Sequence, residues 1–143
     1  MRGFTTVELL IVLVVAALLA ALAVPRLTDR TALQERGARD QLRAMIGHAQ
    51  RIAQTQQREV CVLTTPVQAR AVYANAGACL PAAPLRDPAG GGAYTLDMPP
   101  GTVLGGATLL RFNSRGQPVP ALNRTLSVGT LSITVYRETG LAL

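Results

Sequence analysis

The sequence has few of the side chains that carry out enzymatic chemistry. It contains one histidine, two cysteines, eight acidic residues and no tryptophan. The single histidine, His48, is at helical spacing from Met45 and Ile52, which predicts a residue at the edge of an apolar helix face. The acids are scattered along the chain and do not form the ligand cluster that a metal needs. We therefore expect no enzyme activity, no metal site and no cofactor.

The sequence also lacks lysine, so arginine supplies all of its positive charge. The net charge is +6 at pH 7, and the arginines are spread along the chain rather than gathered in a block. Such a balance is compatible with binding to nucleic acid or to an anionic surface but does not require it. Aromatic residues make up 3% of the chain, which argues against a platform for stacking bases. Nucleic acid is therefore not the favoured partner.

One long apolar run near the beginning of the chain dominates the hydropathy pattern. As a helix, Leu9–Val24 would be about 24 Å long and Phe4–Val24 about 31 Å, close to the thickness of a bilayer's hydrocarbon core. A cleaved secretory signal is the alternative. It is disfavoured because Met1-Arg2-Gly3 is a very short basic region and because Glu8 follows at once. The weak A-x-A match at Ala21–Ala23 is also spoiled by a nearby proline.

The residues G-F-T-T-V-E-L-L-I-V-L, followed by Pro25, closely resemble the N-terminus of type IV pilins and type II secretion pseudopilins. In that family a dedicated prepilin peptidase cuts after the glycine, on the cytoplasmic side, and methylates the new N-terminal phenylalanine. The resemblance implies cleavage between Gly3 and Phe4 and makes Glu8 the family's glutamate. Thr6 stands where the family usually has leucine or isoleucine.

The resemblance gives Glu8 and Pro25 roles in assembly. A carboxylate in a bilayer is costly unless it is paired. The free amine of Phe4 on a neighbouring subunit would be the partner of Glu8 as the fibre grows, and the alternative is that Glu8 simply reaches the cytoplasmic interface. Pro25, where the apolar run stops, would melt or kink the helix in the fibre, or mark only an exit from the membrane.

Beyond the apolar run, the period of the sequence predicts an amphipathic helix followed by strands. Thr28 or Asp29 would cap this helix. Gly37 and Gly47 would weaken it by about 1 kcal/mol each. Its apolar face and the arginines largely off that face are Leu42, Met45, Ile46, Ala49, Ile52 and Ala53, and Arg36, Arg39, Arg43 and Arg51.

The remaining chain predicts a meandering antiparallel sheet with one exposed loop. Strands are expected in 58–64, 69–74, 93–97, 102–104, 108–113, 131–136 and 140–143, with a loop at 75–92 that has little to bury. The fold class is α+β, a long N-terminal helix packed on an antiparallel sheet, which is the layout of the pilin fold. The expected divisions are a leader (1–3), a transmembrane and assembly helix (4–25), an amphipathic helix (26–56) and a periplasmic sheet domain (57–143).

Cys61 and Cys79 form a disulfide if the domain is exported and remain two thiols if it is cytosolic. The pilin resemblance places the domain in the periplasm, so we expect the bond. It would contribute about 3 kcal/mol by restricting the unfolded chain.

Three further stretches are similar to minor subunits of this family. The segment A-R-D-Q-L-R-A-M-I-G-H-A-Q-R-I-A and the turn F-N-S-R-G-Q-P resemble the group that includes general secretion protein H. The end I-T-V-Y-R-E-T-G-L-A-L resembles minor pilin C of mannose-sensitive haemagglutinin pili. DNA-capturing minor pilins carry Gly-Arg-x-Arg near this end, whereas this chain reads T-G-L-A-L, which disfavours DNA capture.

The resemblance as a whole implies a minor pilin or pseudopilin that is held in the inner membrane by a single span, with its C-terminal domain in the periplasm. Its expected partners are other pilin subunits, the prepilin peptidase and the membrane assembly platform. Two alternatives remain open, a type II secretion pseudopilin acting in protein export and a DNA-uptake or adhesive tip pilin.

Overall fold

The computed structural model describes the backbone of residues 5–27 and 30–143, with side chains described for 5–19 and 30–143. The chain divides into two compact units, Met1–Leu33 and Gln34–Leu143. The predicted caps Thr28 and Asp29 lie outside the described residues, as do Gly3 and Phe4.

The first unit contains helix α1, Thr6–Leu27. Its unbroken run of leucine, valine, isoleucine and alanine favours helix because nothing in the run competes for backbone hydrogen bonds. The helix continues two residues beyond the boundary predicted at Pro25. All of its described side chains, as far as Leu19, are exposed. Within the described residues, no helix has both the length and the apolar character needed to cross a membrane.

Helix α2, Arg30–Thr55, supplies one side of the core of the second unit. The predicted apolar face is confirmed, because Leu42, Met45, Ile46, Ala49 and Ala53 are fully buried. Ile52, at the margin of this face, is half-buried and packs against the core. Small alanines alternate with large side chains on this face, so the helix can approach the sheet closely. The sheet side of the core is supplied chiefly by Val60, Val62, Leu110, Phe112, Leu126, Val128, Ile133 and Val135.

The strands form two antiparallel sheets, not the single meander that the sequence predicts. The larger sheet has the order β3-β2-β1-β6-β7, with β4 also pairing with β2, and the smaller has the order β5-β8-β9. The strands are β1 (Val60–Thr64), β2 (Gln68–Asn75), β3 (Ala78–Pro84), β4 (Thr95–Asp97), β5 (Leu104–Gly106), β6 (Leu109–Phe112), β7 (Pro118–Val119), β8 (Arg124–Val128) and β9 (Leu131–Val135).

The prediction of an exposed loop at 75–92 is wrong in part. Residues Ala78–Pro84 form β3, an edge strand that tolerates proline because one side of its backbone has no strand to bond. Leu85 is 1% exposed and belongs to the core. Its amide donates to the Ala71 carbonyl at 2.9 Å, and the Tyr94 amide donates to the Leu85 carbonyl at 2.7 Å. These bonds fold the segment back onto β2.

Three other strand predictions need correction. β8 has no counterpart among the predicted strands, although R-T-L-S-V alternates polar and apolar residues, and it forms the centre of the smaller sheet. The short β7 also went unpredicted. The predicted strand at 140–143 is reduced to a single bridge between Val135 and Ala142. The α+β class, with a helix packed on antiparallel sheet, is confirmed.

Candidate functional site

The start of α1 is built by a capping threonine. The amide of Glu8 donates to the side-chain Oγ1 of Thr5 at 3.3 Å and to its carbonyl at 3.1 Å. Thr5 therefore occupies the N-cap position, and Glu8 is the third residue of the helix. The sequence T-x-x-E is the pattern of a capping box, in which an acid also interacts favourably with the positive end of the helix.

Glu8 lies at the edge of an apolar surface that no other described part of its own unit covers. Val7, Leu10 and Leu18 are each more than 60% exposed, at 65%, 63% and 62%. A monomeric soluble protein rarely exposes a contiguous apolar surface of this extent, because burying it against another apolar surface is favourable. Among its described side chains, the first unit therefore presents one acid, Glu8, at the end of a helix with exposed leucine and valine side chains.

The structure says less about the other predicted assembly and processing positions, Gly3, Phe4 and Pro25. Gly3 and Phe4 lie outside the described residues, so the cleavage site stays a prediction. The backbone of Pro25 lies within α1, which ends at Leu27. The roles of Glu8 and Pro25 in assembly also stay predictions.

Cys61 and Cys79 are joined by a disulfide, with their Cα atoms 5.9 Å apart. Cys61 lies in β1 and Cys79 in β3, and β2 lies between these two strands. The bond therefore fastens an edge strand, directly across its neighbour, to the strand at the centre of the larger sheet.

The last turns of α2 hold two distant turns of the chain together through glutamine side chains. Gln50 Nε2 donates to the carbonyl of Gly116 at 3.0 Å and also to that of Thr139. Gln54 Nε2 donates to the carbonyl of Arg115 at 3.1 Å. The three stretches that resemble minor subunits thus meet at one point, because Gln50 lies in the helical stretch while Gly116 and Thr139 belong to the other two.

Glycine is required at this meeting point. Gly116 and Gly140 both have positive φ, +75° and +69°, a conformation that other residues adopt only with strain. A Cβ at Gly140 would overlap the carbonyl oxygen of Gly116 and reach Gln50 Nε2 at 2.6 Å. A Cβ at Gly116 would overlap the side chain of Gln54. The close approach of the two turns therefore depends on glycine at 140, whereas a Cβ at 116 would displace the Gln54 side chain and its bond to Arg115.

His48 packs edge-on against Tyr94, with the ring centroids 5.6 Å apart and the planes at 74°. Partial burial lowers the pKa of His48 from its ordinary value, nearby Arg51 lowers it further, and Asp87 partly opposes them. Burial also raises the pKa of Tyr94, and Asp87 adds to this effect. The neutral pair thus holds the segment after Leu85 against α2, and the predicted position of His48 at the helix edge is confirmed.

An open groove of about 530 Å³ lies at the end of the smaller sheet, close to Thr139. Leu122, Tyr136 and Leu141 provide apolar walls. Its two charged side chains, Arg137 and Glu138, form an ion pair at 3.7 Å, so the lining has no net charge. Among the residues that the structure describes, no three histidine, cysteine or acidic side chains come together as a metal site would need.

Two features of this site could have been read from the sequence. The T-x-x-E pattern at 5–8 predicts the cap directly before the apolar run. The spacing of Gln50 and Gln54 places both amides on one side of a helix. Their acceptors, by contrast, lie more than 60 residues further along the chain, at separations of 66 and 61, which no local pattern reveals.

The fold that carries these features is the type IV pilin fold. Two solved structures with this fold, both crystal structures of the type IV minor pilin FimU of Pseudomonas aeruginosa strain PAO1, resemble the chain. The first matches with a TM-score of 0.62 at 19% identity over 82% of this chain and 90% of FimU. The second, in another crystal form, gives 0.60 at 19% identity over 76% and 90%. At this identity the likeness shows a shared fold.

No protein-family model and no curated protein sequence matches the chain. The pilin fold of this chain is therefore assigned from three-dimensional similarity. The resemblance of its first residues to type IV pilins is a separate observation, made on the sequence.

Proposed function

We propose that this chain is a minor pilin or pseudopilin of the type IV pilin family, a structural subunit of a pilus-like fibre. The observation that carries the proposal is the exposed apolar length of α1 in a chain whose second unit has a core of its own. A fibre of packed helices would bury that surface, and because α1 would leave a bilayer and not water, side-chain packing between the helices would favour assembly.

Processing would supply a positive charge with which the carboxylate of Glu8 can pair. Cleavage between Gly3 and Phe4 would leave an amine four residues before Glu8, at nearly the same depth in an apolar surrounding. Pairing this amine with Glu8 of a neighbouring subunit would offset the cost of placing either charge there. The Thr5 cap supports this role because it fixes where the helix begins relative to the carboxylate.

Before assembly, α1 would hold the subunit in the inner membrane by a single pass, with the second unit in the periplasm. The run Leu9–Val24 and the exposed side chains as far as Leu19 support this location. The Cys61–Cys79 bond supports an oxidising compartment for the second unit. The expected partners are other subunits, the prepilin peptidase and the assembly platform. A type II secretion pseudopilus is the alternative apparatus, and pseudopilin H the alternative subunit.

The proposal is tested by intact mass and N-terminal sequencing of the full chain made with its native prepilin peptidase. We expect a mature chain that begins with N-methylated Phe4. The matched variant Gly3→Val removes the small residue at the cut and should leave the chain unprocessed.

A mature chain that begins near Val24 would instead show an ordinary secretory signal. Met1 retained in the presence of an active peptidase would equally refute the proposal. Recovery of the processed chain in fibres sheared from the cell would extend the result from processing to assembly.

A further inference from the structure

The outer face of α2 carries a row of exposed arginines that form no ion pair with another described residue. Arg36, Arg43 and Arg51 are exposed and stand on one side of the helix, separated by about 10 Å and about 12 Å. The ion pairs found among the described residues involve Arg39, Arg111 and Arg137, and none of the three exposed arginines. We call Arg36, Arg43, Gly47 and Arg51 the arginine row.

Gly47 leaves a gap at the middle of this row. It follows Arg43 by four residues and precedes Arg51 by four, so it lies between them on the helix surface. A Cβ at Gly47 would meet no atom within 4 Å, and Arg51 Nε donates to the Gly47 carbonyl at 3.3 Å. Beside the Arg51 guanidinium, which lies on the Gly47 carbonyl, the surface at Gly47 therefore has room for a side chain of another molecule.

A second copy of this chain offers few acids to the row. The chain has eight acids against fourteen basic residues. Several of the described acids already serve contacts within the chain: Glu35 accepts from Thr130, Asp97 accepts from Gln68, and Asp40 pairs with Arg39. Packing two arginine rows together would oppose like charges, which costs binding free energy.

We propose that the arginine row docks a different subunit of the same fibre, one that presents a row of carboxylates to α2. The inference rests on the proposed function, since it names the chemistry of a neighbour in that fibre. Guanidinium groups bind carboxylates through two parallel hydrogen bonds, which gives a fixed register as well as attraction. The row thereby selects a heterotypic neighbour over a second copy.

The first test places the full chain with the other subunits of its own assembly system and measures how much of it enters sheared fibres. Arg43→Glu should lower incorporation by about tenfold, because it reverses one charge at the centre of the row. The control is Arg86→Glu, which makes the same charge change at an exposed arginine outside α2 and should leave incorporation near the wild-type level.

A second pair of variants separates docking from folding. Gly47→Gln should fill the gap and lower incorporation by a similar factor while the melting temperature stays the same or rises. Gly37→Gln is the matched control, since a Cβ at Gly37 also meets no atom within 4 Å but lies about 100° around the helix from Arg36. Equal incorporation of the Gly47 and Gly37 variants would overturn the proposal.

The outcomes distinguish this proposal from the proposed function. If wild-type chain is processed and enters fibres while Arg43→Glu enters equally well, the docking surface is wrong and the fibre role stands. If wild-type chain never enters fibres, the fibre role itself fails. If Arg43→Glu enters fibres normally but loses salt-dependent retention of double-stranded DNA by purified full chain, the row binds nucleic acid and the docking proposal is overturned.

Discussion

The point where α2 meets two turns of the chain gives a sharp prediction, the effect of Gly140→Ala. Gly140 has φ of +69°, and its Cβ would overlap the carbonyl oxygen of Gly116. Because that oxygen belongs to the backbone, it cannot rotate away as a flexible side chain would. The substitution should push the two turns apart and break the bonds from Gln50 to Gly116 and Thr139.

The expected loss of stability is about 3 kcal/mol. Alanine in the left-handed region costs about 1 kcal/mol, and each of the two lost hydrogen bonds costs about 1 kcal/mol. Gly91→Ala is the matched control, because Gly91 has nearly the same φ, +71°, but a Cβ there meets nothing within 4 Å. Gly91→Ala should therefore cost only about 1 kcal/mol.

The assay is urea unfolding followed by circular dichroism on the segment Gln34–Leu143, which contains every residue of the described core. The difference of about 2 kcal/mol between the two variants corresponds to roughly 8 °C in melting temperature for a domain of this size. Gln50→Ala should reproduce most of this difference. If Gly140→Ala and Gly91→Ala are equally stable, the crowding around Gly140 does not matter and the reasoning is refuted.

Three further predictions test other parts of the fold. Leu85→Ala should lower the free energy of unfolding by about 3 kcal/mol in the same urea assay, because Leu85 is buried. Leu80→Ala, on the exposed side of β3, should lower it by less than about 1 kcal/mol. Equal losses would show that Leu85 does not belong to the core. The free energy of unfolding should fall as the pH drops through the ordinary His48 pKa of 6.5, because the folded state favours neutral histidine, and His48→Gln should flatten that pH dependence. Thr5→Ala should speed amide hydrogen exchange in the first turn of α1 in detergent micelles, consistent with loss of about 1 kcal/mol of capping, whereas Thr6→Ala should not.

Local patterns in the sequence predicted the elements that depend on neighbours along the chain. The apolar face of α2 follows from a period that only a helix satisfies, so Leu42, Met45 and Ile46 were predicted to be buried and are. The β1–β2 hairpin was equally predictable, because two segments rich in β-branched residues and other strand formers flank a turn at Thr65-Pro66. The disulfide between Cys61 and Cys79 followed once the resemblance supplied a compartment.

The errors arose where a strand or a contact depends on distant partners. β3 contains prolines and alanines and looks like a loop, and it becomes a strand only because β2 offers a free edge and Cys79 is tied to Cys61. β8 is short, and its place at the centre of the smaller sheet depends on β5 and β9 lying on both sides of it. Strand pairing of this kind is set by packing and not by local propensity.

Local sequence was enough for the apolar face of α2, for the order of helix before sheet and for the resemblance at the N-terminus, since each depends on residues that are close together in the chain. Only the tertiary structure decided that the strands divide into two sheets and that Gln50 joins turns at Gly116 and Thr139. It also decided which arginines of α2 form an ion pair with another described residue. The physical reason is the same throughout: a hydrogen bond or an ion pair between distant residues exists only after the chain has folded, so no local pattern can encode its partner.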